Sequence, residues 1–166
     1  MNPAHVHLLL NHIPVIGIWL GIVLYLVALA KKPEWRSLSL GVFALMAVLT
    51  LPAYLSGEPA EELIRGFPGV SEATIEEHEE AALPALIATL VLGAVALVGL
   101  VRFRHAESWS RGYGWLVLAL ALVAGSLIGR TANLGAHIRH PEIRSTTPAT
   151  APEPSEPREH EERESR

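Results

Sequence analysis

The chain has no cysteine among its 166 residues, and all of its 17 acidic residues are glutamate. The first absence removes disulfides, thiolate metal sites, iron–sulfur ligation and thiol nucleophiles together. A basic excess is also missing: 13 Lys and Arg stand against 17 Glu, a balance that excludes a protein built to hold nucleic acid. There is no G-x-S-x-G, no phosphate-binding glycine loop and no H-E-x-x-H, so acyl-transfer, nucleotide and zincin chemistry have no support. Apolar side chains, by contrast, abound. Half of the residues are hydrophobic and the mean hydropathy is +0.32, although positions 145–166 contain only two alanines and nothing larger that is apolar. The first 144 residues are too greasy for a water-soluble domain of their size.

Four stretches, roughly 8–30, 37–56, 81–101 and 113–136, reach the length of about 20 apolar residues that a bilayer demands. They are rich in Leu, Ala and Val without period-2 alternation, so they are expected to be helices, whose backbone groups are satisfied internally, and not barrel strands. The first lacks a basic N-terminal region and is too long for the apolar core of a cleaved signal, so it reads as a permanent span. The expected fold is all-α: an integral-membrane four-helix up-and-down bundle over residues 1–144, with 145–166 as a disordered tail rich in Pro, Glu, Ser and Arg. Within 57–80, a short helix is expected at 59–65. Ser71 is a helix cap, with Thr74 to Glu80 leading into the third span.

Cations set the expected orientation. Lys31, Lys32 and Arg36 flank the first loop and Arg102, Arg104 and Arg111 the third, whereas 57–80 holds eight Glu and only Arg65. By the positive-inside rule both termini lie outside the cytoplasm, with Trp35, Trp109 and Trp115 at the cytoplasmic rim. Arg139, Arg144 and the three tail arginines run against that bias.

The histidines carry the chemical interest. Six of the eight, His5, His7, His12, His78, His137 and His140, fall at the same expected face of the membrane, although they come from three helices. Counting from the opposite helix ends at about 1.5 Å per residue places the ligand-bearing levels roughly 28 to 36 Å away in each span. His105 lies on the other side beside Arg104, and His160 is a solvated tail residue. On the fourth span Ala119, Ser126, Arg130, Asn133 and His137 share one side; on the third His78 heads a stripe of Ala82, Ala85, Thr89, Gly93 and Ala96; on the second Ala47, Thr50, Tyr54 and Glu58 align. Polar stripes facing lipid are costly, so these are expected to converge inside. On the first span His7, Asn11, Pro14 and Gly21 share a face, with His12 turned away by about 140°. Pro14 disturbs that turn, and depth favours His12 over the fraying His7.

The segments H-V-H-L-L-L-N-H-I-P-V-I-G, L-P-A-Y-L-S-G-E-P-A-E-E, E-E-H-E-E-A-A and I-R-H-P-E-I together resemble a family of predicted bacterial four-helix inner-membrane proteins of unknown function, over about residues 1–144. Some members are joined to Rieske or cytochrome c domains. The resemblance implies redox work, a bacterial inner-membrane location, and His12, His78 and His140 with Arg139 as the positions that matter; His137 is this chain's own candidate.

Two chemistries suit such residues. Haem b takes two neutral imidazoles from facing helices, and His12, His78, His137 and His140 are the candidate ligands, with Arg130 as the cation for its propionates. Such a subunit would pass electrons to a quinone, Rieske or cytochrome c partner. Alternatively His7, His12, His78, His137 and His140 with Glu58 offer a mixed imidazole and carboxylate set for a divalent metal ion such as zinc, iron or manganese. A structural or partner-binding membrane subunit without a cofactor is the third reading, its histidines a solvated rim. The lipid bilayer is the expected partner under all three readings, and Gly17/Gly21 or Gly125/Gly129 are the candidate faces for a homo-oligomer.

Overall fold

The computed structural model describes residues 2–103 and 110–140. The expected tail at 145–166, with His160, and the loop position of His105 lie outside the described residues. All regular structure among the described residues is helical: α1 (Pro3–Ala30), a 3-10 turn (Pro33–Trp35), α2 (Arg36–Leu55), α3 (Gly57–Ile64), α4 (Glu72–Arg102) and α5 (Arg111–Arg139). Four of these, α1, α2, α4 and α5, are long and apolar enough to cross a membrane. Pro3 sits at the start of α1, where its missing N–H costs nothing, and Asn2 caps the first turn by accepting from the His5 amide. α3 begins two residues before Pro59, the start that proline placement suggests, and α4 starts directly after Ser71.

Contacts run in a cycle, α1 against α2, α2 against α4, α4 against α5 and α5 against α1, so α1 and α4 stand diagonally. Ile18, Ile22, Tyr25, Leu40, Phe43, Leu92, Val117 and Ala121 fill the middle. Small residues set the spacing. A methyl group added at Gly93 would collide with the Ala47 side chain, and one at Gly17 or Gly21 would collide with Met46 or Phe43. Those two α1 glycines and Gly125 are buried in packing within the chain. The outer surface carries the opposite composition: Ile16, Val48, Leu55, Val98 and Trp115 are each at least 60% exposed. A water-soluble protein does not present so much apolar surface, whereas hydrocarbon accepts it.

Candidate functional site

At the end of the helices where α1 begins, polar side chains from all of the packed elements meet. His7 reaches from α1 to the last turn of α2: its Nδ1 lies 3.1 Å from the Ala53 carbonyl and 3.0 Å from Ser56 Oγ, while that hydroxyl donates to Ala53 at 2.8 Å. The final carbonyls of a helix lack intrahelical donors, so an imidazole N–H from a neighbour is a fitting cap. His78, on α4, places Nδ1 2.9 Å from the carbonyl of Thr131 in α5. Thr131 replies, its hydroxyl donating to the carbonyls of Ala81 at 2.9 Å and Leu127 at 3.0 Å.

These bonds select a tautomer. A carbonyl oxygen only accepts, so Nδ1 carries the proton in both rings and each Nε2 is left with a lone pair. The two rings face one another across the diagonal, with centroids 6.3 Å apart and planes at 86°. Glycines make the room: a methyl at Gly135 would stand 2.9 Å from His78 Cε1, and one at Gly57 would lie 3.7 Å from His7 Cε1 and 3.9 Å from Glu61 Oε1.

Glu61 borders this site, since a methyl on Gly57 would touch both its Oε1 and His7 Cε1. It projects from α3, beyond the apolar end of α2, is only 7% exposed, and its Oε2 is buried with no hydrogen-bond partner. Burial first, then the neighbouring Glu79 through hydrogen bonding and charge, push its carboxyl up to about 8. One turn deeper, on the His7 face, Asn11 Oδ1 is also buried and unpartnered.

Several sequence expectations are redistributed here. His12 points to the exposed side and bonds its own helix at the Leu8 carbonyl, 2.7 Å away, so α1 contributes His7 instead. His5 and His140 are exposed, and His137 is half-buried. The stripe of Ala119, Ser126, Arg130 and Asn133 does not converge inside: all four are exposed, because α5 turns its small face, Gly114, Ala121, Ala124 and Gly125, inward for close packing. Arg130 therefore has no position beside the histidine pair. Tyr54 is exposed within the last turn of α2, and Glu58 is exposed because α2 stops at Leu55 and a new helix starts at Gly57; Glu61 holds the buried place expected for Glu58. The α4 stripe does face inward, with Ala85, Thr89, Gly93 and Ala96 buried and His78 and Ala82 half-buried. Among the described residues no three His, Cys, Asp or Glu side chains already form a metal cage.

Comparison with family models, curated proteins and solved structures gave no match.

Proposed function

We propose that the protein is a multi-pass bacterial inner-membrane protein, an up-and-down four-helix bundle with both termini outside the cytoplasm, that binds a divalent first-row metal ion between His7 and His78. The observation that carries this reading is the pair of imidazoles whose Nδ1–H groups are tied to backbone carbonyls, with both Nε2 lone pairs uncommitted. Metal-binding histidines are typically oriented in this way by their second nitrogen. Two imidazoles at about 2.0–2.1 Å from one ion would have ring centres roughly 5 to 6.5 Å apart, depending on the angle at the metal. The observed 6.3 Å is the separation of ligands placed nearly opposite one another, and a tetrahedral ion would draw the rings together by about 1 Å. Glu61 supplies the third donor by turning its unpartnered Oε2 toward the pair, and water completes the shell. Imidazole with carboxylate suits zinc, iron or manganese.

The same separation favours a second reading, haem b with His7 and His78 as its two axial ligands and a quinone, Rieske or cytochrome c partner. It ranks lower because the His78 ring is already packed on Gly135 and His7 lies beside Gly57, which leaves a macrocycle no slot unless the helices part. One preparation separates the two. The membrane-extracted protein is analysed for metals and for a Soret band that shifts on dithionite reduction, alongside His7→Ala, His78→Ala and the outward control His12→Ala. A metal ion near one per chain, lost in the first two variants and kept in the third, with no Soret band, supports the ion. A Soret band lost in the same two variants supports haem. Neither signal in the wild type, before or after zinc or iron addition, overturns both.

A further inference from the structure

At the opposite end of the helices, a cleft of about 640 Å³ opens between the last turns of α1 and the first turns of α5, with the first residue of α2 on its rim. Its mouth carries two guanidinium groups, Arg36 at the first residue of α2 and Arg111 at the first residue of α5, and its described lining contains no acidic residue. Below the arginines the walls become apolar, formed by Leu29, Leu118 and the ring of Tyr25. The Tyr25 hydroxyl donates to the Gly114 carbonyl at 3.1 Å, so the floor is a fixed joint between α1 and α5. On the outer side Leu29 is 38% and Trp115 68% exposed, and the cleft therefore opens sideways toward the surface that faces hydrocarbon.

We propose that this cleft seats one anionic phospholipid, its phosphate held by Arg36 and Arg111 and its proximal acyl chains lying along Leu29 and Leu118. Each part of the cleft answers a part of that ligand. Guanidinium forks match phosphate oxygens and resist deprotonation. The apolar walls match methylenes, and the lateral opening lets the chains continue into the bilayer. The volume is in the range of small-molecule sites, about 300–1,000 Å³, and far exceeds the needs of a free inorganic anion. The level is also right, because both arginines stand where a span begins and where lipid phosphates lie. This site is independent of the histidine pair.

Trp115 lines the cleft and reports on it. The full-length protein is reconstituted in phosphatidylcholine vesicles containing either brominated phosphatidylglycerol or brominated phosphatidylcholine, and the tryptophan emission that disappears in Trp115→Phe is followed. A basic contact near the membrane surface contributes roughly a factor of five for an anionic lipid. Two contacts predict a preference of about 25-fold for the glycerol lipid in the wild type, about fivefold in Arg111→Gln, and none in the double variant Arg36→Gln/Arg111→Gln. Arg111 is exposed and its single replacement leaves the packing untouched, so that variant decides the matter even if the double variant is misfolded. Equal quenching by the two lipids, or a preference unchanged in Arg111→Gln, overturns the proposal. Loss of the preference on adding millimolar inorganic phosphate, at constant ionic strength, would mark a free-anion site and overturns it too.

Discussion

Replacing Gly135 by alanine perturbs the histidine site through a single atom. The new methyl would stand 2.9 Å from Cε1 and 3.2 Å from Nδ1 of His78. Non-bonded carbons rest at about 3.5–4.0 Å, so the imidazole must withdraw by roughly 0.5–1 Å. Withdrawal strains the 2.9 Å bond from Nδ1–H to the Thr131 carbonyl, a bond worth about 1 kcal/mol net. Alanine within a helix recovers about 1 kcal/mol relative to glycine. The two effects nearly cancel, and thermal stability is expected to change by less than about 1 kcal/mol. Metal affinity has no such compensation, because the ring is displaced from its partner and its orienting bond is weakened. Damage of that kind typically costs 10- to 100-fold in metal affinity, about that expected here. Competition of the purified, chelator-treated protein against a zinc indicator measures the affinity, and thermal unfolding measures the stability. Gly41→Ala is the control, since no heavy atom lies within 4 Å of its added methyl. Wild-type zinc affinity in Gly135→Ala would refute the assignment of His78 as a ligand.

Two further outcomes test the packing and the buried carboxyl. In metal-free protein Glu61, raised from the ordinary 4.5 to about 8, holds its proton more tightly folded than unfolded, so its stabilising contribution is complete below about pH 4.5 and is lost as the pH rises through about 8. The melting temperature should therefore decline more steeply between pH 5 and 8 in the wild type than in Glu61→Gln, and parallel profiles would count against the burial argument. Gly93→Ala drives a methyl into Ala47 and should destabilise by about 1–3 kcal/mol. Moving the methyl, in Ala47→Gly/Gly93→Ala, should restore most of the melting temperature, and failure to do so would deny the contact.

The helices and the α4 face were legible in the sequence because both are properties of one segment. An apolar run of sufficient length is a helix in hydrocarbon whatever surrounds it. On α4 the small residues and His78 lie on one face, so the demand for close packing and the demand for polar burial agree. On α5 those demands conflict. Gly114, Ala121 and Gly125 oppose Ser126, Arg130 and Asn133, and the close-packing face is the one turned inward. Arg130, nine positions before the end of α5, has a stem long enough to lead its charge toward the interface, which lowers the cost of facing out.

The choice between His7 and His12 could not be made from one segment, because both occupy acceptable depths. It follows from the rotation of α1, which is pinned where Gly17 and Gly21 meet Met46 and Phe43. His7 lies seven residues before Pro14 and fourteen before Gly21, close to two and four helical turns, so the face that packs is the face that carries it. Glu61 depended on a different tertiary fact. Extending the α2 periodicity past Leu55 points to Glu58, but Ser56 breaks the register and α3 packs against α1, which exchanges the exposed carboxylate for the buried one. Sequence by itself thus determined which segments are helical and which residues are rich in chemistry. Only the packing of one helix against another decided which of them meet, because rotation about a helix axis is set by contacts with its neighbours and not by its own periodicity.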